Sequence, residues 1–244
     1  MSVLASTLLG AVSELRKGKV VVIPSSLDVH EAAGILSSHV ISSAPVVHED
    51  SGEFLGMFDF MDLIALVLAA FQKDSLAEID LTDKALDLAK FLNDMANVSH
   101  VTHAPIASVV DLSKHKPTPV MKHSESLAKV FQLFSSGTKR VLVTGEKAQE
   151  IVGIFSQSDA VKFVDKNKSS FGSVLSKTID ELKIAEKEVM TVLDSASVLD
   201  ALQVMFRNNI SGVAIVTKTG RMVGSISMTD LKVIQEMTRF FMTL

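Results

Sequence analysis

Hydrophobic and polar positions along the chain fall into a block that is used three times. In each block an apolar run ends in a glycine, and an aspartate follows six residues later at the start of the next apolar run. The copies are Gly56 to Asp62 (GMFDFMD), Gly153 to Asp159 (GIFSQSD) and Gly224 to Asp230 (GSISMTD). Upstream stand Ser26, Ser126 and Ser197, each a candidate helix cap followed by a stretch with helical spacing: LDVHEAAGIL, LAKVFQLF and VLDALQVMF. Serine and aspartate are separated by 36, 33 and 33 residues, which implies a three-residue insertion in the first copy. Between helix and glycine lie β-branched runs (Ala44 to Val47, Val141 to Thr144, Val213 to Thr217) and then the polar turns HEDSGE, GEKAQE and KTGR. Each copy therefore predicts strand, capped helix, strand, turn, strand, helix, and self-similarity at this period is the mark of an array of like units.

The array is not evenly spaced. An N-terminal helix over 1–18 precedes a first repeat over 19–71, and the second and third repeats occupy 117–164 and 188–244, the last with a C-terminal helix. The inserted connector 72–116 has Ile79, Leu81, Ala85, Leu88, Leu92 and Met95 near helical spacing with Thr82 as N-cap, predicting one amphipathic helix before the SKHKPTP break. The second connector, 165–187, is charged apart from the short apolar run FGSVL.

Composition narrows the class. With 244 residues and 47% hydrophobic content the chain has ample material for a core, and a net charge of −4 lacks the basic excess with which a general nucleic-acid binder neutralises phosphates. Without cysteine there is no disulfide framework and no thiolate metal site. The most hydrophobic segment, Phe54 to Phe71, is interrupted by Asp59 and Asp62. Its uncharged part, Leu63 to Phe71, is nine residues long, against roughly 20 for a membrane span. It reads as a core helix. The N-terminus is apolar before it is basic, the reverse of a secretory signal. The expectation is a soluble, intracellular protein, cytoplasmic or nuclear, with no nucleic-acid and no membrane partner.

The repeated glycine, the hydroxyl residue and the terminal aspartate, set between a strand and a helix, resemble the signature of the CBS domain, the regulatory repeat of cystathionine β-synthase. The resemblance covers about two-thirds of the chain. It implies an α/β (α+β) protein of tandem CBS repeats (β-α-β-β-α), paired face to face. ISSAPVV (Ile41 to Val47), KPTPVM (Lys116 to Met121) and NNISGVAIV with VGSISMTDL are also similar to segments of the γ regulatory subunits of the AMP-activated protein kinase family, plant-type ones in particular. Those subunits have four repeats, and this chain shows three.

What the resemblance implies about chemistry is an adenine nucleotide held as a regulatory ligand, with no other cofactor. The terminal aspartate of each repeat would accept hydrogen bonds from ribose hydroxyls, which suits an ionised carboxylate because it is acceptor-only and takes two donors at once. By position these are Asp62, Asp159 and Asp230, supported by Ser156 and Ser158 in the second repeat and by Ser227 and Thr229 in the third. In the first repeat Asp59 stands where the others have serine, and a second carboxylate beside a phosphate is electrostatically unfavourable. Phosphate would be met by Lys139 and Arg140 at the strand after the first helix; the matching positions in the other repeats are taken as Ser42 and Asn209, which lack charge. Adenine would lie against Val120 and Met121, or Val189 and Met190. Each of these residues also has a plain structural reading: aspartate caps helix N-termini, apolar residues at strand starts fill cores, and Lys139 and Arg140 suit a solvated helix end.

No metal site is expected, since His100 and His103 in HVTHAP lack a third ligand. No phosphate-binding G-x-x-x-x-G-K-[ST] loop, nucleophile elbow or H-E-x-x-H pair occurs, so no enzyme is expected. The leading functional expectation is a non-catalytic subunit that binds AMP, ADP or ATP and regulates a protein kinase complex through its catalytic and scaffold subunits. The alternative is a nucleotide-independent scaffold, or a regulator of a transporter or metabolic enzyme. The third repeat is expected to lack a partner within the chain and so to expose a face for self-association or for another subunit.

Overall fold

A computed structural model describes residues 3–12, 15, 20–71, 103–113, 117–147, 150–184, 188–228 and 230. The chain opens with α1 (Val3–Ser6) and a 3-10 turn at Leu9–Ala11. The first repeat is β1 (Ile23–Pro24), α2 (Val29–Ser38), β2 (Ser43–Val47), β3 (Phe54–Asp59) and α3 (Phe60–Phe71). A short helix α4 (Ile106–Val109) precedes the second, which is β4 (Val120–Lys122), α5 (Leu127–Ser135), β5 (Arg140–Thr144), β6 (Ile151–Ser156) and α6 (Gln157–Lys166). The third is β7 (Thr191–Leu193), α7 (Val198–Arg207), β8 (Gly212–Val216) and β9 (Met222–Ser227). The helix expected at 79–95 and the C-terminal helix of the third repeat lie outside the described residues. The expected N-terminal helix is two short helical turns, with Leu9, Val12 and Leu15 buried.

The three repeats agree down to strand register. Each has a three-stranded sheet whose middle strand runs parallel to the first and antiparallel to the third. The signature glycines pair with the same place in the middle strand: Val46 with Gly56, Val143 with Gly153 and Ile215 with Gly224, and in all three the register shifts one residue further on. Such a shift is an irregularity of the β-bulge type, which re-aims the strand that delivers the terminal aspartate.

Helix ends also recur. Asp28 caps α2 and forms a reciprocal box with Glu31, and Ser197 does the same with Asp200 on α7. Ser126 is the cap residue of α5. Ser26 is therefore not the cap of the first copy. Counted from Asp28, the distance to Asp62 is 34 residues, and the three-residue insertion shrinks to one. One residue beyond the C-cap the chain turns left-handed in each copy, at Val40, Gly137 and Asn209 with φ of 54°, 97° and 49°. That equivalence corrects the sequence alignment of the charged position. Three residues on from these terminators lie Ser43, Arg140 and Gly212, so Asn209 is a helix terminator and Ser42 matches Lys139.

The residues divide into two compact units. One contains 1–21 with 116–187, the other 22–115 with 188–244. In the first, Leu9, Val12 and Leu15 join Met121, Leu127, Val130, Val141, Val143 and Phe155 in one core. In the second, Leu63 and Leu66 of α3 sit in the core of the first repeat, while Met61, Ile64 and Leu68 pack on Ala201, Leu202 and Met205 of α7. The all-round apolar character of α3 thus serves two neighbours, as expected of a helix buried on every side. The expectation that the third repeat has no partner within the chain is overturned, because α7 packs against α3. No described helix is long and apolar enough to cross a membrane.

Candidate functional site

The first two repeats present the same end of the sheet: the start of the middle strand, the end of the third strand, and the first turn of the helix that follows; the third presents the same two strand ends with Asp230 beside them. In the second repeat Arg140 pairs in register with Ser156, and the Gln157 amide donates to the Lys139 carbonyl at 3.0 Å. Lys139, Arg140, Ser156 and Asp159 are thereby brought to one edge, although 16 positions separate Arg140 from Ser156 in sequence. The ten residues of α6 direct their N-terminal partial positive charge at the same place.

Asp159 is held by its neighbours. Its Oδ2 accepts from the Ser156 amide at 3.1 Å and from the Ser156 hydroxyl at 2.6 Å, and its Oδ1 lies 3.4 Å from the Lys162 ammonium. The capping role read as the plain alternative is therefore real, yet it engages mainly one oxygen, and the side chain remains 23% exposed. Asp230 repeats the arrangement, with Oδ2 accepting from the Ser227 amide at 2.7 Å and its hydroxyl at 3.0 Å, on a more exposed surface. Opposite Ser227 stands Gly212, so the strand start that offers Arg140 in the second repeat offers no side chain here.

The first repeat has gone a different way. Asp59 takes the serine's place as cap, accepting from the Met61 amide at 2.8 Å. Asp62 is only 2% exposed; its Oδ2 accepts from the Asp59 amide at 2.9 Å and its Oδ1 from the Ser113 amide at 2.8 Å. Burial, reinforced by the charge of Asp59, raises the Asp62 carboxyl well above the ordinary aspartate range. Both oxygens are thus engaged by backbone, one of them by a segment 51 residues away. Across the sheet Ser43 pairs with Asp59, at the place where the second repeat has Arg140 opposite Ser156.

The apolar candidates divide by strand alternation. Met121 points into the core of its unit, while Val120 beside it is exposed. Met190 packs partly against the α3 and α7 cluster, and Val189 is exposed. Ser158 is exposed on α6; Thr229 lies outside the described residues. His103 donates from Nδ1 to Asp28 Oδ2 at 2.7 Å, and among the described residues no group of acidic and histidine side chains is arranged to hold a metal. Hydrogen bonds from the Glu31 amide and from His103, together with the histidine charge, outweigh burial at Asp28 and lower its pKa.

Sequence reading missed the segments before the repeats. Val12-Ser-Glu-Leu15, Val109-Val-Asp-Leu112 and Ile179-Asp-Glu-Leu182 share the pattern apolar, any, acidic, leucine. That recurrence was the signal available for finding them, and it was hidden by the unequal spacing.

Comparison with known proteins agrees with the geometry. The CBS domain profile matches residues 12–69, 109–166 and 180–235. Protein SDS23 of Scheffersomyces stipitis is 27% identical over 235 residues, covering 90% of this chain and 44% of its own length. Protein sds23 of Aspergillus niger is 30% identical over 218 residues, covering 84% and 40%. The chain spans less than half the length of these curated relatives. Among solved structures, MJ1225 from Methanocaldococcus jannaschii, put forward as an archaeal homolog of g-AMPK, superposes with a TM-score of 0.68 at 15% identity, covering 93% of this chain and 74% of that one.

Proposed function

Because the chain belongs to the CBS domain family, we propose that it is a non-catalytic regulatory module that binds one adenine nucleotide at the second repeat and passes its occupancy to a protein partner. The observation that carries this reading is the convergence of Lys139, Arg140, Ser156 and Asp159 at one sheet end. Arginine donates a planar pair of bonds to phosphate and lysine adds a point charge. Asp159 keeps Oδ2 on its cap and turns Oδ1 to the ribose. The first repeat has both carboxylate oxygens of Asp62 taken and a second acid beside it, and the third lacks a cation at the Arg140 position, so one strong site is expected in three repeats.

The partner is a separate question. The curated relatives reported above are SDS23-type proteins, which favours a regulator outside the kinase complex over a kinase γ subunit. In either case a ligand shifts the partner only as far as it prefers one arrangement of the module over another. The nucleotide-independent scaffold draws its support from the lost sites in repeats one and three.

Calorimetric titration with AMP, ADP and ATP tests the proposal. Wild type should bind with one strong site. Arg140→Ala and Asp159→Ala should each lose roughly 1.5–3 kcal/mol, the worth of a charge-assisted hydrogen bond, while Asp230→Ala leaves that site intact. Absence of binding by wild type, or binding indifferent to both Arg140 and Asp159, rejects it.

A further inference from the structure

The residue that follows the end of the third strand divides the array by its chemistry. It is Phe60 in the first repeat, Gln157 in the second and Met228 in the third. In the second repeat Gln157 Nε2 donates to the carbonyl of Thr138 at 3.0 Å. Thr138 stands one residue past the left-handed helix terminator Gly137, where the other two repeats have Ile41 and Ile210. Phe60 and Ile41 lie in one apolar cluster, and Met228 and Ile210 in another. The second repeat therefore has a hydrogen bond where its relatives in the array have an apolar pair.

The main-chain framework around that bond is common to all three copies. The amide one past the terminator closes on the preceding helix each time: Ile41 on Leu36 at 3.0 Å, Thr138 on Leu133 at 3.1 Å and Ile210 on Met205 at 3.0 Å. The Gln157 amide donates to the Lys139 carbonyl at 3.0 Å, as the Met228 amide does to the Ser211 carbonyl at 2.8 Å. What the second repeat adds is the side-chain bond. Through it Gln157 grips two successive carbonyls, those of Thr138 and Lys139, and Thr138 is fixed by α5 at its amide and by α6 at its carbonyl. The two residues that follow Thr138 are Lys139 and Arg140, where the first repeat has Ser42 and Ser43 and the third has Ser211 and Gly212. The added bond and the two cations occur in the same repeat.

We propose that Gln157 is the positioning residue for the phosphate half of this site, holding the Thr138–Lys139 backbone so that Lys139 and Arg140 are in place before a nucleotide arrives. This rests on the reading of the second repeat as the nucleotide site. A bond made in the free protein adds no contact to the ligand. It acts on the fraction of molecules whose cations are placed to bind, and the apparent affinity scales with that fraction. Its effect is therefore capped at the worth of the bond itself, about 2- to 10-fold for a neutral pair. The ribose half is held separately, since Asp159 is oriented by the amide and hydroxyl of Ser156.

Gln157→Met tests the role. Methionine is unbranched, has a similar helix propensity, keeps the backbone amide and occupies the same place in the third repeat, so the change removes the side-chain donor alone. In calorimetric titration AMP should bind this variant about 2- to 10-fold more weakly than wild type. The same change should cost clearly less in an Arg140→Ala background and as much as in wild type in an Asp159→Ala background, because a positioning residue acts through the group it positions. An AMP affinity unchanged by Gln157→Met overturns the inference. So does a loss as large with Arg140→Ala as without it, which is what a general loosening of the fold would give. AMP binding that depends on Arg140 and Asp159 but not on Gln157 removes the positioning role and leaves the site; failure of wild type to bind AMP, or binding indifferent to Arg140 and Asp159, rejects the site and this inference with it.

Discussion

Replacing Asp62 by alanine should be far more damaging than the same change at Asp159, although the two occupy the same place in their repeats. At Asp159 the principal backbone donor is the Ser156 amide at the mouth of a helix, where water can replace the lost oxygen; the expected cost is that of a cap, about 1 kcal/mol. At Asp62 two backbone amides lose their acceptor, Asp59 at 2.9 Å and Ser113 at 2.8 Å, and the residue is 2% exposed. A buried amide left without a partner costs about 1–3 kcal/mol, so the pair amounts to roughly 2–6 kcal/mol, reduced somewhat by removal of a buried acid. Ser113 closes the segment whose Val110 and Asp111 lie on Gly56, so the damage should reach residues 110–113 before the rest of the repeat. Urea denaturation of both variants gives the two costs, and native-state hydrogen exchange at the Ser113 amide reports whether the segment has been released. The reasoning fails if Asp62→Ala costs no more than Asp159→Ala, or if Ser113 stays as protected as in wild type.

The raised Asp62 carboxyl and the left-handed Val40 give two further expected outcomes. Asp62 has a raised carboxyl in the folded state, so the unfolded chain gives up that proton at lower pH than the folded one. Its contribution therefore makes stability fall as pH rises above the ordinary aspartate value of 3.8 towards the folded pKa, and Asp62→Asn should flatten the pH dependence of the urea midpoint in that range. Val40 holds a left-handed conformation, at φ of 54°, where the second repeat has Gly137, and its side chain is 76% exposed. Relief of a strained β-branched residue, about 1–2 kcal/mol, exceeds the added chain entropy of glycine. Val40→Gly should therefore raise stability by about 0.5–1 kcal/mol in thermal or urea unfolding; a loss of stability contradicts the helix-end assignment.

Local order along the chain was readable because it is written locally. Strand alternation, turn residues and the glycine-to-aspartate spacing located the middle strand and the glycine-bearing strand of each repeat, and Asp59 in the serine position marked the first repeat as different in sequence. The physical reason it differs was not readable, since the donor to Asp62 Oδ1 is the Ser113 amide, 51 residues away and beyond the helical pattern of the inserted connector. Helix partners were equally hidden. The apolar run of α3 states that the helix is buried all round, but nothing in it distinguishes α7 of the third repeat from any other amphipathic neighbour. At Ser26 and Asn209 the reading slipped by a few residues because serine and asparagine suit several places at a helix end. The strand register and the three left-handed terminators resolve both.

The most direct measurement is a crystal structure of the chain grown with AMP. The account predicts one bound nucleotide, its ribose hydroxyls on Asp159 and its phosphate between Lys139 and Arg140. A nucleotide lodged instead at Asp62 or Asp230, with the second repeat empty at saturating ligand, would contradict it.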